Sequence, residues 1–264
     1  MSSFLETAAA AARAAAAVIK RDFGRPAGVR FKARMNPVTE TDLAAEHAAL
    51  QVLERAFPSH DILTEESAQA PRRSDYLWVV DPMDGTVNFT HAYPCVCASV
   101  GLLGGGELLA GAVCDPIRDE LFTAEKGKGA ALNGSPIRVS PVSALEGSLL
   151  CTGFPYRLVE NPGETFRVFE RVSLLAQGVR RDGSAALDIC YVAAGRFDGF
   201  WERELKPWDT AAGVLILREA GGLATDFSGR QFDPFVPEIA ATNSRIHDEL
   251  IRALSPAGPA ADRA

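Results

Sequence analysis

The chain has 264 residues, 47% hydrophobic and 23% charged, an ordinary globular composition that excludes global disorder. A chain of this length buries enough surface to fold without a disulfide or zinc staple. Its 27 basic and 34 acidic side chains leave a net charge of −7, which argues against nucleic acid or an anionic membrane as the main partner.

The alanine-rich run 3–22 predicts a helix, ended by Gly24 and Pro26. It does not read as a secretion signal, because Glu6 and Arg13 interrupt it and no charged segment precedes it. No stretch is long and apolar enough for a membrane span, so the expected compartment is the cytoplasm. Thr39 and Asp42 have the spacing of a capping box ahead of a second helix, residues 43–57, with Leu43, Leu50 and Leu53 on one stripe. A short strand is expected at 61–63. A continuous apolar strand, buried on both faces, is expected at 76–80.

Strands follow at 95–103, 108–114 and 120–124, separated by Gly104-Gly105-Gly106 and by Asp115-Pro116. The second half predicts helices at 163–177, 184–195, 208–220 and 243–254, and strands at 148–152, 197–201, 222–226 and 237–241. A soft boundary falls near 140–147, and the tail beyond 255 lacks apolar periodicity. The pattern is mixed α and β. Five cysteines at 95, 97, 114, 151 and 190 form no C-x-x-C, so buried free thiols in a reducing compartment are the simplest account.

The informative feature is acidic. Strand 76–80 runs into Asp81-Pro82-Met83-Asp84-Gly85-Thr86. Pro82 restricts the backbone around it, and Gly85 permits an unusual angle and close approach by a ligand. A turn beyond the strand end could aim both carboxylates at one spot, as a hard cation such as Mg²⁺ requires. Gly85-Thr86-Val87-Asn88 then opens a helix, whose free amides attract anions. Glu65-Glu66 follows another short strand, and Asp42 and Asp209 each stand at a helix start. Each of these alone reads as a solvated loop or a cap.

Taken together, Val38-Thr39-Glu40-Thr41-Asp42, Thr64-Glu65-Glu66-Ser67, Asp81-Pro82-Met83-Asp84-Gly85-Thr86 and Trp208-Asp209-Thr210-Ala211-Ala212-Gly213 resemble the inositol monophosphatase family in order and spacing. Gly153-Phe154-Pro155, Gly183-Ser184-Ala185-Ala186, Trp201-Glu202 and Glu219-Ala220-Gly221-Gly222 match as well. The resemblance covers residues 30–245. It implies an α+β fold, a layered αβαβα sandwich of the sugar phosphatase type (inositol monophosphatase and fructose-1,6-bisphosphatase), and a homodimer. It places metal and phosphate sites in a subdomain 1–142 and the alcohol pocket with Asp209 in a subdomain 143–255, followed by a loose tail 256–264.

The resemblance also implies roles. Glu65, Asp81 and the Met83 carbonyl hold a first Mg²⁺. Asp81, Asp84 and Asp209 hold a second, and Glu65 assists a third. The Gly85 and Thr86 amides grip phosphate, and Thr86 with Asp42 polarises the attacking water. Lys32 and Glu66 support the site from outside. Asp84, Gly183, Ser184, Ala185 and Glu202 face the alcohol. Thr64, Met83 and Ser184 depart from common family spellings without removing a ligand. The implied activity is Mg²⁺-dependent, Li⁺-sensitive hydrolysis of a polyol phosphate, inositol 1-phosphate first. Fructose 1,6-bisphosphate stays open because Arg180 and Arg181 lie near Gly183. 3′-Phosphoadenosine 5′-phosphate, histidinol phosphate and a non-catalytic dimeric binding role also stay open.

Overall fold

The computed structural model describes residues 3–33, 36–67, 72–160 and 162–255. The tail 256–264 lies outside the described residues. Ser3 caps α1 (Phe4–Asp22) with a complete capping box to Glu6, and alanines 8, 11, 12, 15 and 16 form its buried face. After the hairpin β1 (Arg30–Ala33) and β2 (Asn36–Val38), Thr39 caps α2 (Glu40–Ala56), and its box with Asp42 closes as the spacing predicts.

The buried stripe of α2 differs from the leucine stripe expected. Leu43 is 50% exposed, and the buried positions are Thr41, Asp42, Ala45, Glu46, Ala49 and Leu53. The alanine face of α1 lies against α2, and close helix approach selects small residues over leucines.

A seven-stranded sheet carries the first half: β3 (Asp61–Thr64), β4 (Tyr76–Asp84), β5 (Cys97–Gly104), β6 (Glu107–Asp115), β7 (Glu120–Glu125), β8 (Ala130–Leu132) and β9 (Ser135–Pro136), in that spatial order. The five-residue α3 (Thr86–Thr90) sits between β4 and β5. The second sheet contains β10 (Leu149–Thr152), β11 (Gly178–Arg180), β12 (Gly199–Arg203), β13 (Leu223–Thr225) and β14 (Glu238–Thr242), in the order β11-β10-β12-β14-β13. Its helices are α4 (Pro162–Leu175), α5 (Ala185–Ala193), α6 (Pro207–Glu219) and α7 (His247–Leu254).

These elements stack as five layers. One apolar core joins α1 and α2 to one face of the large sheet. A second fills the space between its other face, α5 and α6, and the small sheet. A third seats α4 and α7 on the outer face of the small sheet. The layering agrees with the αβαβα expectation. The hairpin β1–β2 and strands β8, β9 and β11 were not expected, since runs of two to four residues show no period. The last helix begins at His247 rather than 243, because the Asn243 side chain accepts from the Arg245 and Ile246 amides and holds them in a turn. All five cysteines are buried and free. Among the described residues no helix is long and apolar enough to cross a membrane.

Candidate metal and phosphate site

The site is built on an irregularity in β4. Asp81 pairs with Ser99 and Asp84 with Cys97, so three steps on β4 oppose two on β5. In a regular strand Asp81 and Asp84 would point to opposite faces, and the extra residue brings them onto the same one. Pro82, which has no amide to donate, occupies this bulge. The acidic motif therefore lies within the strand, not in a turn beyond it. The Asp81 carboxylate accepts the Met83 amide at 3.0 Å, which fixes its direction.

Gly85 then reverses the chain at φ +95°, and a Cβ there would stand 2.7 Å from the Cys95 carbonyl oxygen, so the position accepts only glycine. At five residues α3 has too few aligned peptides for a full helix dipole, so anion attraction here rests on individual amides.

Four acids converge from three places: Glu65 after β3, Asp81 and Asp84 on β4, and Asp209 on α6. Burial and the charges of Glu65, Asp84 and Asp209 push the Asp81 carboxyl well above its usual range. Burial, then Asp84 and Glu65, do the same to Asp209. Asp84 is pushed up to about 6 by burial, although Ser184 Oγ (2.7 Å) and the Ala186 amide (2.8 Å) donate to its Oδ2. Asp209 reaches the cluster from the first turn of α6, where its Oδ2 accepts the Lys206 amide at 2.6 Å. Buried carboxyls that raise one another's proton affinity form a donor set matched to a hard multivalent cation. The Met83 carbonyl oxygen lies 3.2 Å from Thr86 Oγ1, a longer alternative acceptor for the same hydroxyl proton.

Glu65 carries the cluster's link to Lys32, whose Nζ donates to Glu65 at 2.9 Å and to Glu66 at 2.7 Å. Burial opposes the Lys32 charge, but the two glutamates outweigh it. One ammonium serving two acids leaves Glu66, the more buried, pushed up to about 7 by burial. Thr86 Oγ1 donates to Asp42 Oδ1 at 3.0 Å, while Asp42 Oδ2 accepts the Thr39 amide at 2.7 Å and its hydroxyl at 2.5 Å. Burial raises the Asp42 carboxyl despite these bonds. The cap of α2 thus doubles as the support for Thr86.

Toward the alcohol side, Gly183 lies on a left-handed turn (φ +83°) tied down by Asn88, whose Nδ2 donates to the Cys95 and Asp182 carbonyls at 2.8 Å each. Ser184 and Ala185 follow at the start of α5, both buried. The Ser184 hydroxyl donates to Asp84, which leaves its lone pairs to accept from a ligand. Glu202 projects from β12 over Gly153, where a Cβ would stand 2.1 Å from Oε2, so the missing side chain is the cradle for this carboxylate. Burial first, then Asp188, Asp209 and Asp84, push Glu202 well above its usual range, and Arg181 counters them.

Three contributors escaped the sequence reading. Glu46 accepts Thr64 Oγ1 at 2.5 Å, the Glu66 amide at 3.1 Å and the Ser67 hydroxyl, and so shapes the loop that carries Glu65. A glutamate on the buried stripe of an amphipathic helix is the signal that could have found it. Asn88 carries no comparable signal. Tyr156, 51% exposed as a whole residue, has its phenol pushed up by local burial and by the charges of Glu65, Asp84, Asp209 and Asp81, so it is within electrostatic reach of the acid cluster.

Over nearly its whole length the chain is similar to several known proteins. A model of the "Inositol monophosphatase family" matches residues 1–258. An "Inositol-1-monophosphatase" of Synechocystis sp. is 44% identical, with 97% of this chain and 90% of the relative covered. A "Nus factor SuhB" of Pseudomonas aeruginosa is 42% identical over 97% of each chain. The solved structure of inositol monophosphatase from Anabaena (Nostoc) sp. superposes with a TM-score of 0.87 at 44% identity, covering 95% of this chain and 94% of that one.

Proposed function

The chain belongs to the inositol monophosphatase family and is a phosphatase, and from that premise we propose that it hydrolyses the phosphate monoester of a polyol, inositol 1-phosphate first, with Mg²⁺ held by Glu65, Asp81, Asp84, Asp209 and the Met83 carbonyl. The observation that carries this reading is the bulge that turns Asp81 and Asp84 to one face beside Glu65 and Asp209. Bound Mg²⁺, two or three ions per site, would neutralise phosphoryl oxygens, lower the pKa of water and stabilise the leaving alkoxide.

The protein's own groups supply the rest. The Thr86 hydroxyl, donating to Asp42, keeps its lone pairs free to accept a proton from the attacking water and pass its own proton to Asp42. The Gly85 and Thr86 amides orient the phosphate. Lys32 holds Glu65 and Glu66 in place from the β1 side. Glu202 accepts ring hydroxyls, and its cradle at Gly153 sets its reach. No residue forms a covalent intermediate in this scheme, so attack by water inverts configuration at phosphorus. The same reading carries a homodimer in a reducing compartment, the latter supported by five buried free thiols.

The test is phosphate release from inositol 1-phosphate, fructose 1,6-bisphosphate and 3′-phosphoadenosine 5′-phosphate, each with Mg²⁺ and with Mg²⁺ plus Li⁺. Inositol phosphate turnover abolished by Li⁺ supports the reading. Preference for a bisphosphate keeps the chemistry and moves the substrate to one with a second phosphate near Arg180 and Arg181. Release from none removes the proposed substrates.

The name Nus factor on a 42% identical relative favours a second reading, a non-catalytic binding role alongside hydrolysis. A cellular phenotype of gene loss that an inactive Asp81→Asn chain rescues supports it, and rescue only by active protein rejects it.

A further inference from the structure

Under the Gly183 turn, β10 and the first turn of α5 bring together three side chains that the proposed hydrolysis does not use. Cys151 on β10 is fully buried, Asp188 on α5 is 1% exposed, and Asp182 is half-buried in the turn itself. The Cys151 Sγ and one carboxylate oxygen from each aspartate lie within 4.8 Å of one another. Asp188 Oδ1 is buried with no hydrogen-bond partner. Among the described residues, neither aspartate forms an ion pair, and the nearby Arg181 stacks over Phe154 at 4.7 Å. That buried carboxyl oxygen faces the Cys151 thiol and a second acid and has no donor in good hydrogen-bond geometry, an arrangement that a bound cation would satisfy.

We propose that Cys151, Asp182 and Asp188 form a binding site for a divalent cation of the Zn²⁺ class, separate from the Asp81 cluster. The sulfur ligand makes the distinction. Thiolate suits Zn²⁺ and its borderline neighbours, whereas Mg²⁺ keeps to oxygen. Three protein ligands with water in the fourth position complete a tetrahedron, and the half-exposed Asp182 is on the entry side. Tetrahedral zinc–ligand bond lengths bring ligand atoms to roughly 3.3–3.5 Å of one another, the spacing these side chains would adopt around the ion.

Binding is an exchange without redox change. The metal takes the place of the protons on Cys151 and Asp188, which go to solvent, and affinity therefore rises with pH. Burial raises both groups above their ordinary values, so the cation competes with protons for these ligands. Because Asp182 and Ser184 share one turn, and Asp188 shares α5 with Ala186, the bound cation would also clamp the segment that donates to Asp84.

Co²⁺ titration of the full-length protein, with Mg²⁺ in excess to occupy the carboxylate cluster, tests the proposal. A thiolate-to-Co²⁺ charge-transfer band in the near ultraviolet is expected, saturating at about one equivalent and erased by one equivalent of Zn²⁺. Cys151→Ser should abolish the band, Asp182→Asn should weaken binding about tenfold or more, and Asp81→Asn should leave it in place. Absence of the band in folded wild-type protein overturns the site, as does an unchanged band in Cys151→Ser. Should Cys151→Ser fail to fold, Asp182→Asn decides: it replaces a half-buried turn residue, and an unchanged Kd for Co²⁺ rejects the site.

Discussion

Asp81 is buried among Glu65, Asp84 and Asp209, and its carboxylate accepts the Met83 amide. Such a residue is tolerated because a cation is expected to compensate it. Asp81→Asn should therefore act in two directions. Turnover should drop by several kcal/mol of transition-state stabilisation, on the order of 10³-fold, in steady-state assays with Mg²⁺. The melting temperature in EDTA should rise, because one buried charge is gone. Near wild-type turnover would remove Asp81 from the metal set. Glu202 sits on the alcohol side, so Glu202→Gln should reorder polyol phosphate preference through KM while kcat on the best substrate changes less than about tenfold. An unchanged ranking would take Glu202 out of the pocket.

Among the elements, β4 and α6 decide whether these side chains meet. The bulge aims two acids of β4, and α6 delivers the third from the other half of the chain. Gly101 on β5 and Gly111 on β6 let α6 lie directly on the large sheet: a Cβ at Gly111 would stand 2.9 Å from the Ala212 carbonyl oxygen, and one at Gly101 would stand 3.1 Å from the Ala212 amide nitrogen. Both contacts are with backbone, which cannot move aside like a flexible side chain. Gly111→Ala should destabilise the protein by about 1–3 kcal/mol in urea unfolding. It should also lower kcat, because Asp209 rides on the helix that is pushed away. Stability loss with unimpaired turnover would mean that the sheet, not α6, yields.

The five layers fold around a site whose charges oppose folding until a cation arrives. Asp84 is raised to about 6 from 3.8, and Glu66 to about 7 from 4.5. Between the unfolded and folded values the native state binds more protons than the unfolded chain, so stability must fall as pH rises through that window. In EDTA the melting temperature should decline from about pH 4 to pH 7. Asp226, held down to about 2, acts with the opposite sign but only below that window. Saturating Mg²⁺ should flatten the profile and add about 2.7 kcal/mol when present at a hundredfold excess over its Kd. A flat profile in EDTA would show that the acids are already compensated without metal.

Local chemistry made much of this molecule legible from its amino acids. The Thr39–Asp42 box, the apolar strand into Asp81, and the helix opened by Trp208-Asp209 each depend on residues a few positions apart, so composition and spacing express them directly. The ordered acidic motifs expressed the family for the same reason. Other features depend on partners far along the chain. The reversal of Asp84 to the face of Asp81 is a register shift against β5. The burial of Ala45 and Ala49 in place of Leu43 follows from the alanine face of α1. The support of the Glu65 loop by Glu46, and the meeting of Cys151 with Asp182 and Asp188, join residues separated by 18 or more positions. Hydrogen-bond register and side-chain contact act across space and leave no period in the sequence, so these were decided only when the layers packed.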